Sequence, residues 1–300
     1  MCMFTPRYKN LITYCYHRSG SHFLSNNLSC YLSTLSSDRY IKLSEFFNAR
    51  SKQHRFIVRN GNIIALRKKK SNNLKEFRWK WIYKDGCIIK ERIYGPCNFN
   101  EKLELLCLMK IWDKSKNDNN RYRFNLFPSH VSSKFMTILN NSDTFFMVLL
   151  RREFRKTYLS GYIANDVEKY VYLPTDDKHI FPEKSSINID IKKLKCRLIK
   201  REDFYKNLNK LNNKYIISYD DLDNPEIMAD LMQHIYVEDI WESMDRESFK
   251  QIHESMPTCY IPTPYTMERI DYIENKDEVL MCFEKFDEIN DHYMNLYGIK

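Results

Sequence analysis

Glycine is scarce in this sequence, 6 of 300 residues, and long apolar runs are missing. The longest run is FFMVLL at 145–150, far short of the roughly 20 residues of a membrane-spanning helix, so no membrane span is expected. The opening residues, MCMFTPRYKN, lack the apolar core of a secretory signal. The 9 cysteines are scattered and odd in number, with no C-x-x-C and no zinc-finger spacing. That argues against a disulfide framework or structural zinc, and for free thiols in a reducing, cytoplasmic setting. The NTPase loop G-x-x-x-x-G-K-[ST] is absent. With no lysine placed for β- and γ-phosphates and no hydroxyl placed for Mg²⁺, neither a kinase nor a required metal is expected. No repeat or linker divides the chain, and one domain over 1–300 is expected.

What is present is basic and aromatic. Lysine and arginine outnumber aspartate and glutamate 48 to 39, a formal net charge of +9. Hydrophobic residues make up 43% and aromatics 14%, enough apolar surface to exclude a disordered chain. A basic balance suits nucleic acid or a polyanionic small ligand, and it also keeps a chain soluble. Asn, Lys, Ile and Tyr share A/T-rich codons, so part of the bias follows from base composition and fits a viral or microbial source.

Periodicity gives strands alternating with helices. NLITYCY (10–16) reads as a strand, HRSGS (17–21) as a loop, and HFLSNNLSCYLSTL (22–35) as a helix with Phe23, Leu24, Leu28, Tyr31, Leu32 and Leu35 at helical spacing. Further strands are expected at 121–127, 143–151 and 214–222, and helices at 100–114, 152–166, 201–213, 224–235 and 276–298. The unbroken apolar character of 143–151 suits a parallel strand covered on both faces. The class is α/β, a mainly parallel sheet flanked by helices. Residues 55–95 differ. Asn60-Gly61 and Asp85-Gly86 each separate two β-branched runs. These are the strongest short hairpin signals, because both central residues of such a turn need positive φ. Two hairpins are expected, as an insertion lying on the main sheet.

Three segments carry chemistry. In RSGSHFL (18–24), after a strand and before a helix, backbone N–H groups from Ser19 to Phe23, the Ser21 hydroxyl and the helix N-terminus can cradle an anion, with Arg18 as a cation. In LLRREFRKTYLSGY (149–162), Arg152 and Ser160 stand about two helical turns apart and share a face. Arg152 can take a phosphate bidentately, and Arg155 follows one turn on. In YIISYDDL (215–222), Tyr219, Asp220 and Asp221 read as architectural.

In this order the three segments resemble the sulfotransferase family that uses 3′-phosphoadenosine 5′-phosphosulfate as donor. The resemblance implies a P-loop-like sulfotransferase fold. It implies that Arg18, Ser19, Gly20, Ser21, His22 and Phe23 grip the 5′-phosphosulfate, with His22 standing where the family usually has threonine. It implies that Arg152 and Ser160 hold the 3′-phosphate. A sulfuryl group would then move by in-line displacement to a hydroxyl-bearing acceptor, a glycan or small alcohol. Position and charge stabilisation dominate such a transfer.

A base must also accept the acceptor's proton. Glu45, in LSEFFN, resembles the catalytic glutamate of an E-[FY]-F segment in microbial and phage-type members. His130, in LFPSHV, stands near the K-T-H histidine of cytosolic members, but with Pro128 in place of the lysine. The late R-K-G segment of cytosolic members is absent; MPTCYIPTPYT (256–266) is the nearest loop. Plainer readings stand beside these: a solvated helix face for Arg152 and Ser160, a helix cap for His130, a first-turn acid for Glu45. For the whole chain the alternative is a non-enzymatic nucleotide or nucleic-acid binding module on the same fold. RKKK (67–70), close to Trp79, Trp81 and Tyr83, would supply its charge and stacking.

Overall fold

The computed structural model describes residues 4–16, 19–36, 40–42, 54–59, 62–67, 77–84, 87–94, 121–128, 133–166, 183–256 and 268–299. The strands in chain order are β1 (Asn10–Cys15), β2 (Tyr40–Lys42), β3 (His54–Arg59), β4 (Asn62–Arg67), β5 (Phe77–Lys84), β6 (Cys87–Tyr94), β7 (Arg121–Leu126), β8 (Thr144–Leu150) and β9 (Lys214–Ser218). The helices are α1 (Ser21–Leu35), α2 (Ser133–Leu139), α3 (Phe154–Asp166), α4 (Ile191–Leu208), α5 (Pro225–Ile235), α6 (Ile240–Ser243), α7 (Arg246–Glu254) and α8 (Lys276–Leu296).

Five strands form an all-parallel sheet in the order β2-β7-β1-β8-β9. β8 shows why. All seven of its residues are buried, as a strand covered on both faces requires. Its even residues Phe146, Val148 and Leu150 enter one core with α3, α4 and α8. Its odd residues Phe145, Met147 and Leu149 enter the other with α1, α5 and α7. The period of two in β8 thus supplies both cores. On the α1 side, Tyr31 stacks on Phe249 at 5.0 Å and its hydroxyl meets His253 Nδ1 at 2.5 Å, which ties α1 to α7. On the other side, Phe204 packs edge-on to Tyr14 and Tyr16 at 5.0 and 5.5 Å.

The two expected hairpins are present. β3 and β4 pair antiparallel with Arg59 opposite Asn62, and β5 and β6 with Lys84 opposite Cys87. Each pair therefore leaves the two residues that an Asn-Gly or Asp-Gly turn needs. β3 also pairs with β6, so the hairpins join in one antiparallel sheet, β4-β3-β6-β5, which among the described residues is not hydrogen-bonded into the parallel one.

Several boundaries differ from expectation. α4 begins at Ile191, not at 201, because Asp190 accepts the Lys193 N–H as its N-cap and Leu194, Leu198, Arg201, Phe204, Tyr205 and Leu208 continue one buried face. β9 stops at Ser218, whose hydroxyl accepts the Asp220 N–H and turns the chain into a 3₁₀ segment, Tyr219–Asp221. The cap of α5 is Asn224, which accepts from Glu226 and Ile227 N–H, ahead of Pro225. α6 and α7 fall where no element was expected. The expected helix at 100–114 lies outside the described residues. Among the described residues no helix is long and apolar enough to cross a membrane.

Candidate functional site

β1 leads into α1, which packs on one face of the parallel sheet, while neighbouring β8 leads into α3, which packs on the other. The two connections part at the carboxyl ends of these strands. In open α/β sheets such a switch point is the crevice where ligands bind. The described chain at this edge comprises Tyr16, Ser19 and Gly20 after β1, 151–153 after β8, and the 3₁₀ turn after β9.

Gly20 is the N-cap residue of α1, with φ 87° and ψ 17°. Among the described residues no side chain caps the helix, and its first turn has no acid, so its first N–H groups carry the positive end of the helix dipole. A Cβ at Gly20 would lie 2.5 Å from two ring carbons of Tyr219. Glycine is therefore needed twice, for the left-handed backbone and for this close approach. Ser19 and Ser21 beside it are buried.

Above the Tyr219 ring lies Arg151, its guanidinium carbon 4.2 Å from the ring centroid. Arg151 also pairs with Glu153 at 3.6 Å, and its Nε is buried with no hydrogen-bond partner among the described residues. Burial opposes ionisation of Glu153, but Lys156 and Arg151 more than offset it and hold the carboxyl below its ordinary range. Gly20, Tyr219 and Arg151 thus bring the ends of β1, β9 and β8 into one contact.

Arg152 points away from that contact, toward the end of α8. It donates to the Ile299 carbonyl at 2.8 Å and reaches Asp291 at 3.5 Å and Asn295 at 3.4 Å. Arg155 forms a two-pronged ion pair with Asp287. Ser160 is partly buried within α3, and Phe23 packs partly buried against the α1-side core. His22 lies in the first turn of α1. Arg18, Glu45 and His130 lie outside the described residues, as do 68–70 and 257–267. Among the described residues no group of His, Cys, Asp or Glu is arranged to hold a metal.

Sequence reasoning passed over Arg151 and the contact between Tyr219 and Gly20. The signal for Arg151 was its place at the end of a buried strand; the eight-residue spacing drew attention to Arg152 instead. No family model, no curated protein and no solved structure matches the chain.

Proposed function

We propose that the chain is a sulfotransferase that moves a sulfuryl group from 3′-phosphoadenosine 5′-phosphosulfate to a hydroxyl acceptor. The observation that carries this reading is the β1–Gly20–α1 junction: a helix N-terminus that no described side chain caps, at the switch point of a parallel sheet, with Arg151 over the Tyr219 ring beside it. N–H groups at the start of α1 would hold the 5′-phosphosulfate. Arg151 stands nearest to them, and Arg152 with Ser160 would take the 3′-phosphate, with Arg152 exchanging its long contact to Asp291 for the stronger anion. The acceptor oxygen would attack sulfur as the bond to the 5′-phosphate oxygen breaks, and Glu45 or His130 would take the acceptor's proton. Adenosine 3′,5′-bisphosphate would leave. A glycan or small alcohol suits the acceptor role by family likeness alone.

Calorimetric titration with adenosine 3′,5′-bisphosphate tests this. The expected result is micromolar or tighter binding to wild type, weakened about tenfold or more in Arg152→Ala. No binding by well-folded wild type overturns the reading.

One observation favours the second reading, a nucleic-acid binding module. The β5–β6 register sets Trp79 opposite Arg92, Trp81 opposite Lys90 and Phe77 opposite Tyr94. Aromatic residues paired in register with basic ones suit single-stranded nucleic acid. That reading expects donor-independent binding of oligonucleotides, lost in Trp79→Ala/Trp81→Ala.

A further inference from the structure

Arg201, on α4, is 1% exposed. Among the described residues it has no carboxylate partner, and the phenols of Tyr16, Tyr158 and Tyr205 surround it. Its guanidinium carbon lies 5.2 Å from the ring centre of Tyr16, 5.5 Å from Tyr205, 5.7 Å from Tyr158 and 5.8 Å from Phe154. Its Nε donates to the Tyr205 hydroxyl at 2.5 Å and one terminal nitrogen donates to the Arg151 carbonyl at 3.2 Å. The other terminal nitrogen is buried with no hydrogen-bond partner among the described residues. Tyr205 in turn donates to Asn290 Oδ1 at 2.9 Å, and Asn290 Nδ2 donates to the Arg152 carbonyl at 3.1 Å. The carbonyls of both arginines that follow β8 are therefore held by one buried chain of side chains that starts at Arg201.

An arginine cannot shed its proton in a protein, so this site holds a permanent positive charge. Aromatic faces attract the cation but do not neutralise it. A buried charge without a counter-ion is costly, and its field is poorly screened. Arg201 lies directly behind the carboxyl ends of β1 and β8, flanked by Tyr16 and by the Arg151 carbonyl. Among the described residues no carboxylate supplies the balancing negative charge.

We propose that Arg201 is a positioning residue for the anion site: it fixes the backbone that carries Arg151 and Arg152, and its charge is balanced by the bound polyanion. This rests on the donor-site reading above. It makes the site a charge counter, in which each further negative charge on a ligand gains from Arg201.

The test compares adenosine 5′-monophosphate with adenosine 3′,5′-bisphosphate on full-length wild type, Arg201→Met and Arg201→Lys. Coulombic loss scales with ligand charge. Arg201→Met should weaken the monophosphate about fivefold and the bisphosphate about 25-fold, while Arg201→Lys keeps most of both affinities. A role in packing alone would lower both by one factor, or neither. Equal losses, or unchanged affinity in folded Arg201→Met, overturn the proposal and leave the donor-site reading standing. Failure of wild type to bind either nucleotide overturns both. Should Arg201→Met not fold, Arg201→Gln replaces it, since glutamine can reach toward the same partners without charge. Lysine and glutamine variants that bind the bisphosphate equally then overturn the proposal.

Discussion

Among the described residues each face of the parallel sheet buries one arginine, and the two are used differently. On the α1 face, Arg123 of β7 donates to the Ser25 carbonyl at 2.8 Å and to the Ser29 hydroxyl. Burial pulls its guanidinium down to about 10. Its donors are spent on α1, and it fixes the helix whose N-terminus opens the crevice. On the opposite face Arg201 keeps one nitrogen unspent and meets rings in place of α1 carbonyls. The α1 face is a rigid support for the crevice; the α4 face holds its charge in reserve. The same residue type serves structure on one side and, on the inference above, ligand binding on the other.

The strongest way to break the support side is at Gly20. Alanine there incurs about 1–2 kcal/mol for the left-handed backbone and must also displace the Tyr219 ring, so Gly20→Ala should lose about 3 kcal/mol of stability. Thermal unfolding checks this. In a double-mutant cycle with Tyr219→Ala, the clash should vanish and about 1–2 kcal/mol of backbone cost should remain. An additive cycle would mean that Tyr219 does not constrain the loop.

Arg123→Met should come next, at about 2 kcal/mol, from lost hydrogen bonds to α1. It sharpens the contrast with Arg201, because nucleotide affinities should fall by one common factor whatever the ligand's charge. A loss that grows with ligand charge would make the two arginines equivalent and the contrast false. Smaller still is Asn224→Ala, which removes the cap of α5 on the α1 side and should cost about 1 kcal/mol with nucleotide affinity unchanged.

The residues that support the crevice were legible, and the reserve of charge was not. β8 announced itself by an unbroken apolar run, the hairpins by Asn-Gly and Asp-Gly, and the β1–α1 junction by Arg-Ser-Gly-Ser between a β-prone run and a helical one. The first half of α4 was hidden because Leu194 and Leu198 stand among Lys192, Lys193, Lys195, Arg197 and Lys200, so its apolar stripe is narrow. β2 has only three residues and exists through its pairing with β7, with the Tyr40 hydroxyl donating to the Tyr8 carbonyl at 2.7 Å. Local pattern carries no trace of such tertiary support. Arg201 reads in the sequence as one more cation of a basic helix. Its burial depends on Tyr16, Phe154, Tyr158 and Tyr205, which come from three separate stretches of chain and meet only in the fold.

The smallest effect on stability belongs to the exposed contact at the end of α8, and it bears on Arg152. Asp291 and Arg152 are 55% and 36% exposed at 3.5 Å, a geometry worth at most about 0.5 kcal/mol. Asp291→Asn should therefore leave the melting temperature nearly unchanged. If Arg152 serves the 3′-phosphate, however, the carboxylate competes with the ligand for the same guanidinium, and its removal should tighten adenosine 3′,5′-bisphosphate by about two- to threefold. Adenosine 5′-monophosphate, which lacks the 3′-phosphate, should gain less. A gain shared equally by both nucleotides would show that Asp291 acts only through the general field of the surface. No gain for either would leave Arg152 as a structural tie between the end of β8 and the Ile299 carbonyl, and would shift the 3′-phosphate role to Arg151, whose guanidinium already lies over Tyr219 beside the start of α1.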